Sequence, residues 1–371
     1  MASVVTATPR WLLGPGPANV DPRVLQALAT PVQGHLDPEF VATLDRIRDG
    51  LKRLFRTSSD ATLAISGTGS AGMETCLVNV IEPGDKVIVG VGGYFGRRIC
   101  QVAERLGAEV IQVPYEPGTA LEPQRFIDEV KRHPEAKVAA IVHAETSTGV
   151  LQPLEEIGRA LADTETLFMV DCVTSLGGAP VEVEKWHVDL TYSCSQKCIG
   201  MVSGLSPVTF SAKAMEVVRR RRRPPASFYL GIDVLLDYWG EGRVYHHTAC
   251  STLYYGLKAA LDLIFAEGLE ARWKRHAEVG QMMQRRVQEL GCTLFAREGQ
   301  RLPMLTAIVA PESVDGAAVR RALLEQYSIE VGAGLGEWKD KLWRVGLMGY
   351  NARPVLVDLV CGALGELLRS R

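Results

Sequence analysis

The chain has 371 residues, with 41 Lys and Arg against 43 Asp and Glu, and 47% of its positions are apolar. Such a length buries a substantial core without disulfides and, at about 150 residues per domain, suggests two or three units. The balanced charge does not call for a polyanionic partner, and no segment approaches the roughly 18 uninterrupted apolar residues of a membrane helix.

The start, Met1 to Leu13, lacks a basic segment followed by a usable apolar stretch, so no secretory leader is expected there. Gly14-Pro15-Gly16-Pro17 then interrupts any helix, and residues 1–20 are predicted to run as an arm over another part of the molecule. From about residue 60, short apolar runs alternate with amphipathic stretches. Ala61 to Ser66, Lys86 to Val91, Glu109 to Val113, Lys137 to Val142 and Thr166 to Asp171 are expected strands, with helices between them. Runs apolar along most of their length imply strands covered on both faces, and strand-helix alternation implies crossovers in a parallel arrangement. The predicted fold class is therefore α/β, with a mainly parallel central sheet between helices.

After about residue 211 long helical patterns take over, including Ser251 to Glu267 and Leu269 to Leu290, followed by a mixed segment from Cys292. A boundary is placed near residue 256, giving a large domain over 21–256 and a smaller C-terminal α+β domain over 257–371. No internal repeat or low-complexity linker separates them, so firm packing is expected. Cys76, Cys100, Cys172, Cys194, Cys198, Cys250, Cys292 and Cys361 are scattered through apolar segments, as expected of reduced core thiols in a cytoplasmic protein.

Gly67-Thr68-Gly69-Ser70-Ala71-Gly72 follows a strand and opens a helix, which satisfies the dinucleotide pattern G-x-G-x-x-G. A dinucleotide site also needs an acidic residue about 20 positions on, at the end of the next strand. That strand instead runs into Gly92-Gly93-Tyr94-Phe95. A general phosphate cradle remains, built from backbone N–H groups and the helix dipole, with Ser66, Thr68 and Ser70 adding hydroxyls. A tight strand-to-helix connection without a ligand is the plainer alternative.

Two later residues favour the cradle. Asp171 ends one predicted strand, and Lys197, in Ser193-Cys194-Ser195-Gln196-Lys197-Cys198, follows another, Asp189 to Tyr192. Ligands of open α/β sheets gather outside the carboxyl ends of the strands, so both groups are expected in one crevice with the cradle. An aspartate beside a pyridine nitrogen keeps it protonated and makes the ring an electron sink. A lysine of ordinary pKa about 10.4, shifted by desolvation, forms a Schiff base with the cofactor and later carries a proton. Taken singly, Asp171 serves equally as a helix cap and Lys197 as a solvated surface residue; their co-location is what points to pyridoxal 5'-phosphate.

With these residues in view, the chain resembles the class V aminotransferases of fold type I, the alanine–glyoxylate and serine–pyruvate enzymes above all, over nearly its whole length. The resemblance runs through Leu12-Leu13-Gly14-Pro15-Gly16-Pro17, Ser66-Gly67-Thr68-Gly69, Glu82-Pro83-Gly84-Asp85 and Glu145-Thr146-Ser147-Thr148-Gly149. It continues through Val170-Asp171, Ser175-Leu176-Gly177-Gly178, Ser195-Gln196-Lys197, Tyr245-His246-His247-Thr248 and Arg344-Val345-Gly346-Leu347-Met348-Gly349. It implies that Thr68, Gly69, Ser70 and Gln196 hold the phosphate, with Tyr245 and Thr248 reaching in from the other subunit of a homodimer. Phe95 matches the ring stacked on the pyridine face, Thr146 the partner of the ring hydroxyl, and Arg344 the clamp on the substrate carboxylate.

Two departures stand out. The stacking position is often Trp in this family, and the loop Cys198-Ile199-Gly200-Met201-Val202-Ser203-Gly204 lacks the family's usual proline pair. The stretch Pro31-Val32-Gln33-Gly34-His35-Leu36-Asp37-Pro38 resembles the ureidoglycine–glyoxylate branch.

The expected activity is transfer of an amino group from L-alanine or L-serine to glyoxylate or pyruvate. Ureidoglycine as donor, a cysteine desulfurase-like lyase and a noncatalytic relative of the fold are the alternatives. Desulfurases usually place His before the lysine, where Gln196 stands. The run Arg219 to Arg223 continues a predicted helix without interleaved aromatics, so no nucleic-acid partner is expected. His246-His247 diverge in direction, so no metal site is expected.

Overall fold

The computed structural model describes residues 7–369, so residues 1–6, the opening of the predicted arm and of the stretch weighed as a leader, lie outside the described residues. The central sheet has seven strands: β1 Thr62–Ser66, β2 Lys86–Val91, β3 Glu109–Pro114, β4 Val138–Val142, β5 Leu167–Asp171, β6 Leu190–Tyr192 and β7 Leu205–Phe210. Their order is β1-β7-β6-β5-β4-β2-β3, and β7 runs antiparallel to both of its neighbours. All other pairings in it are parallel. Every residue of β4 and β5 is buried, which requires cover on both faces and explains their continuous apolar pattern.

Helix α1, Gly69–Val78, follows β1, and helix α2, Tyr94–Arg105, follows β2. Both begin at the carboxyl edge of the sheet. Further on, α3 spans Ser251–Glu267 and α4 spans Leu269–Glu289. Gly268, at φ 86°, separates them. A smaller antiparallel sheet follows, formed by β8 Thr293–Leu294, β9 Leu305–Val309, β10 Gly332–Ala333 and β11 Leu342–Gly346 in the order β8-β9-β11-β10.

Residue 256, where the sequence suggested a boundary, lies in the middle of α3. Tyr254, Leu257, Leu261 and Ile264 of that helix pack into the large core, while Val279, Met283 and Val287 of α4 pack into the small one. We place the division at Gly268. The arm joins both parts: Trp11–Leu12 pairs in parallel with Ile329–Glu330, and Leu13 is fully buried in the small core. Among the described residues, no helix is long and apolar enough to cross a membrane.

Candidate active site

The last residue of β5, Asp171, stands beside Val142 of β4 and Tyr192 of β6 in register, so three strand ends deliver side chains to one place. Its Oδ2 accepts from the Tyr192 hydroxyl at 2.6 Å and its Oδ1 from the Val173 N–H at 2.8 Å. Both bonds favour the carboxylate, but burial in the apolar strand ends outweighs them and pushes the group up to about 6.

Lys197 projects from the loop between β6 and β7. That loop is tied to the sheet by Ser193 N–H to Pro207 O and Ser195 N–H to Leu205 O, and it turns through Gly200 N–H to Lys197 O at 3.0 Å. The Lys197 amine is buried and donates to the carbonyl of Pro15. A Cβ at Gly16, which adopts φ 104°, would stand 2.5 Å from Lys197 Cδ, so the arm needs glycine where it crosses the lysine. Burial holds the amine below its ordinary range; the Arg344 charge adds to this, while Cys194, Cys198 and Asp171 oppose it.

The loop that lacks the family's proline pair is held by a long-range contact. Arg272 of α4 donates through Nε to Gly177 O at 3.0 Å and through Nη2 to Cys198 O at 2.8 Å, while its Nη1 pairs with Glu267 at 2.8 Å.

A cavity of about 170 Å³ lies over these groups. Thr68, Gly69, Ser70, Phe95 and Thr146 line it with Asp171, Gln196 and Lys197, so eight of the sequence-predicted site residues share one space. Gly69 and Ser70 open α1, where amides have no intrahelical acceptor, and the Thr68 hydroxyl makes no capping bond. Buried Gln196 Oε1 finds no partner among the described residues. Phe95 sits in the first turn of α2, its ring edge-on to Tyr94 at 5.5 Å.

Arg344, in the middle of β11, is buried beside this space. Its Nε donates to Ala333 O at 2.6 Å and its Nη1 to Thr146 O at 3.1 Å, and burial pushes the guanidinium down to about 10. Tyr245 and Thr248 are exposed and stand apart from the cavity lining of their own chain; the Tyr245 ring lies 5.0 Å from His35. Ser66, expected among the cradle hydroxyls, is turned away instead: its Oγ contacts His247 Nε2 at 3.3 Å and Tyr254 OH at 3.4 Å.

Sequence reasoning missed Tyr192, the Pro15 carbonyl, Arg272 and Arg98, which lines the cavity and donates to the Tyr94 hydroxyl at 2.6 Å. Tyr192 had a usable signal, because it closes the strand beside Asp171.

The features set aside at the outset have local partners. His246 and His247 face each other Nδ1 to Nδ1 at 2.7 Å, and His246 stacks on Phe228 at 5.1 Å. Among the described residues, no cluster of three or more His, Cys, Asp or Glu suited to a metal occurs. Arg219 and Arg220 pair with Glu216, and Arg221 donates to Ile81 O. Burial pushes the Cys194 and Cys198 thiols beside the lysine up to about 12, which leaves them unreactive.

The family model of class-V aminotransferases matches residues 10–349. An alanine–glyoxylate aminotransferase of Drosophila melanogaster is 40% identical, covering 97% of this chain and 93% of that protein. An (S)-ureidoglycine–glyoxylate transaminase of Bacillus subtilis is 36% identical, covering 97% and 90%. A solved alanine–glyoxylate aminotransferase structure from Nostoc sp. superposes with a TM-score of 0.97 at 46% identity, covering 100% of this chain and 98% of that one.

Proposed function

Because the chain belongs to the class-V aminotransferases and is thus a pyridoxal-phosphate-dependent transaminase, we propose that it moves an amino group from L-alanine or L-serine to glyoxylate or pyruvate. The observation that carries this reading is the convergence of Asp171, Lys197 and the α1 cradle on one cavity. The uncapped start of α1 and an aspartate poised near neutrality fit the cofactor's phosphate and ring nitrogen.

When bound, the cofactor supplies a protonated pyridine ring that withdraws electrons from the substrate Cα. Asp171 holds the proton on the ring nitrogen, and Tyr192 fixes the orientation of its carboxylate. Thr68, Gly69, Ser70 and the Gln196 NH2 would hold the phosphate, Phe95 would cover the ring, and Thr146 would meet the ring hydroxyl. The Lys197 amine would hold the cofactor covalently and, when free, would carry a proton to or from the substrate Cα. Arg344 has spent its Nε proton on Ala333 and one Nη1 proton on Thr146, so the Nη1/Nη2 edge is left to orient a substrate carboxylate in bidentate fashion.

The exposed Tyr245 and Thr248, which find no place in the cavity of their own chain, support a homodimer in which each subunit completes the phosphate site of the other. The thiols, none of them in a disulfide, support a cytoplasmic setting.

A panel of amino donors with glyoxylate, read as kcat/KM, tests the proposal. Highest values for alanine or serine are expected; no transfer from either would overturn it. A second reading, with ureidoglycine as donor, draws on the Bacillus subtilis relative and on the 31–38 loop. Gln33 and His35 of that loop bond to Tyr255 and Tyr238, in the same region as Tyr245, so a ureido-specific loop would act across the dimer.

A further inference from the structure

Glu145 lies outside the set of residues assigned above, yet three of them depend on its surroundings. Only 3% of its surface is exposed, and among the described residues it has no ion-pair partner. Its Oε2 accepts from the backbone N–H of Phe95 at 3.1 Å. Its Oε1 accepts from the Ser147 N–H at 3.0 Å and the Ser147 hydroxyl at 2.6 Å. Ser147 Oγ in turn accepts from the Tyr94 N–H at 2.9 Å.

Helix α2 therefore receives its cap from outside. Its own N-cap residue, Gly93, has no side chain to offer, and a Cβ there would stand 2.4 Å from Glu145 Cδ. The opening amides that this pair occupies belong to Tyr94 and Phe95, the latter carrying the ring that faces the cavity. A carboxylate suits this place because the amino end of a helix carries partial positive charge. On the other side of Glu145, the carbonyl of Thr146 receives Arg344.

We propose that Glu145 is a positioning residue of the transamination reaction: through Ser147 and the first turn of α2 it sets the Phe95 ring against the cofactor. This rests on the reading given under Proposed function.

The test compares wild-type holoenzyme with Glu145→Gln and Ser147→Ala. Gln keeps the shape but loses the charge and turns an NH2 toward at least one N–H donor. In Glu145→Gln the visible circular-dichroism band of the bound cofactor falls to about half, and kcat drops about 10-fold while KM for the amino donor stays within about twofold. Ser147→Ala loses circular-dichroism amplitude in the same direction.

If Glu145→Gln keeps the wild-type amplitude and the wild-type kcat, the proposal is overturned, whatever its melting temperature. Should that variant fail to fold, Ser147→Ala decides: reduced amplitude supports the proposal and full amplitude overturns it. A wild-type protein that stays colourless with pyridoxal phosphate sinks the functional reading and this one with it. Coloured, active wild type with indifferent variants sinks this one alone.

Discussion

Two buried polar clusters flank the loop that carries Lys197, and they handle charge in opposite ways. On the side of the small domain, Arg272 and Arg275 of α4 close on Glu267 with contacts of 2.8 and 2.6 Å and spend further donors on the carbonyls of Gly177, Cys198, Gly349 and Ala352. Burial works against the Glu267 carboxyl, but the hydrogen bonds and charges of the two arginines outweigh it and hold the group below the usual carboxylate range. On the side of the sheet, Asp171 has no ion-pair partner among the described residues, and burial wins. A satisfied charge network fixes a shape, whereas a charge left unpaired can change protonation state when a ligand arrives.

The comparison breaks most sharply at Lys197. Lys197→Ala is expected to lower amino transfer by roughly 10⁴-fold and to abolish the covalent yellow complex, as read by single-turnover kinetics and absorbance. An equivalent loss from Arg272→Met in a folded, coloured protein would erase the distinction between the clusters. Next comes Asp171→Asn, with a loss of about 10³-fold in kcat from a ring nitrogen that no longer keeps its proton.

The same Asn substitution should stabilise the cofactor-free protein. A carboxyl at 3.8 in the unfolded chain and about 6 when folded binds more protons in the native state between those values, so its contribution to stability falls as pH rises through that window. Above pH 6 the deficit reaches about 3 kcal/mol, and Asp171→Asn should recover it, with the gain fading toward pH 4 in denaturant titrations. A variant less stable than wild type at pH 7 would contradict this.

Glu267 has the opposite sign. Its depressed value adds stability above the unfolded 4.5, which is lost as pH falls through the folded value. Arg272→Met strands the carbonyls of Gly177 and Cys198 and leaves Glu267 to Arg275 alone, and should cost about 2 kcal/mol of unfolding free energy, with kcat affected only as far as the loop loosens. Smallest of all is the expected effect of Cys194→Ala: the thiol is buried and held protonated, so thiol reagents should leave wild-type activity unchanged and the variant should retain it within about threefold.

What could be read from the sequence was local or tied to strand ends. The central strands announced themselves because both faces are covered, and Asp171 and Lys197 because the carboxyl edge of such a sheet is where ligands sit. Ser66 misled because it lies in the last position of β1, where alternation turns alternate side chains to opposite faces, and one residue decides between the cavity and His247. Residue 256, where the sequence suggests the domain division, lies within α3, whose apolar face gives no sign in the sequence of which core receives it. Arg272 and Glu145 were invisible as tertiary devices. One sits in a helix rich in charged residues, the other at the end of a two-residue strand, and each works on backbone groups distant in sequence.

The strand at Trp11–Leu12 closes only against Ile329–Glu330, and Gly346 N–H bonds back to Leu13 O. On the ribosome, therefore, the walls of the pocket emerge long before the segment that seals its reactive amine can dock. The pairing that fixes the arm over Lys197 joins residues far apart in sequence, so closure over the amine is a long-range folding step.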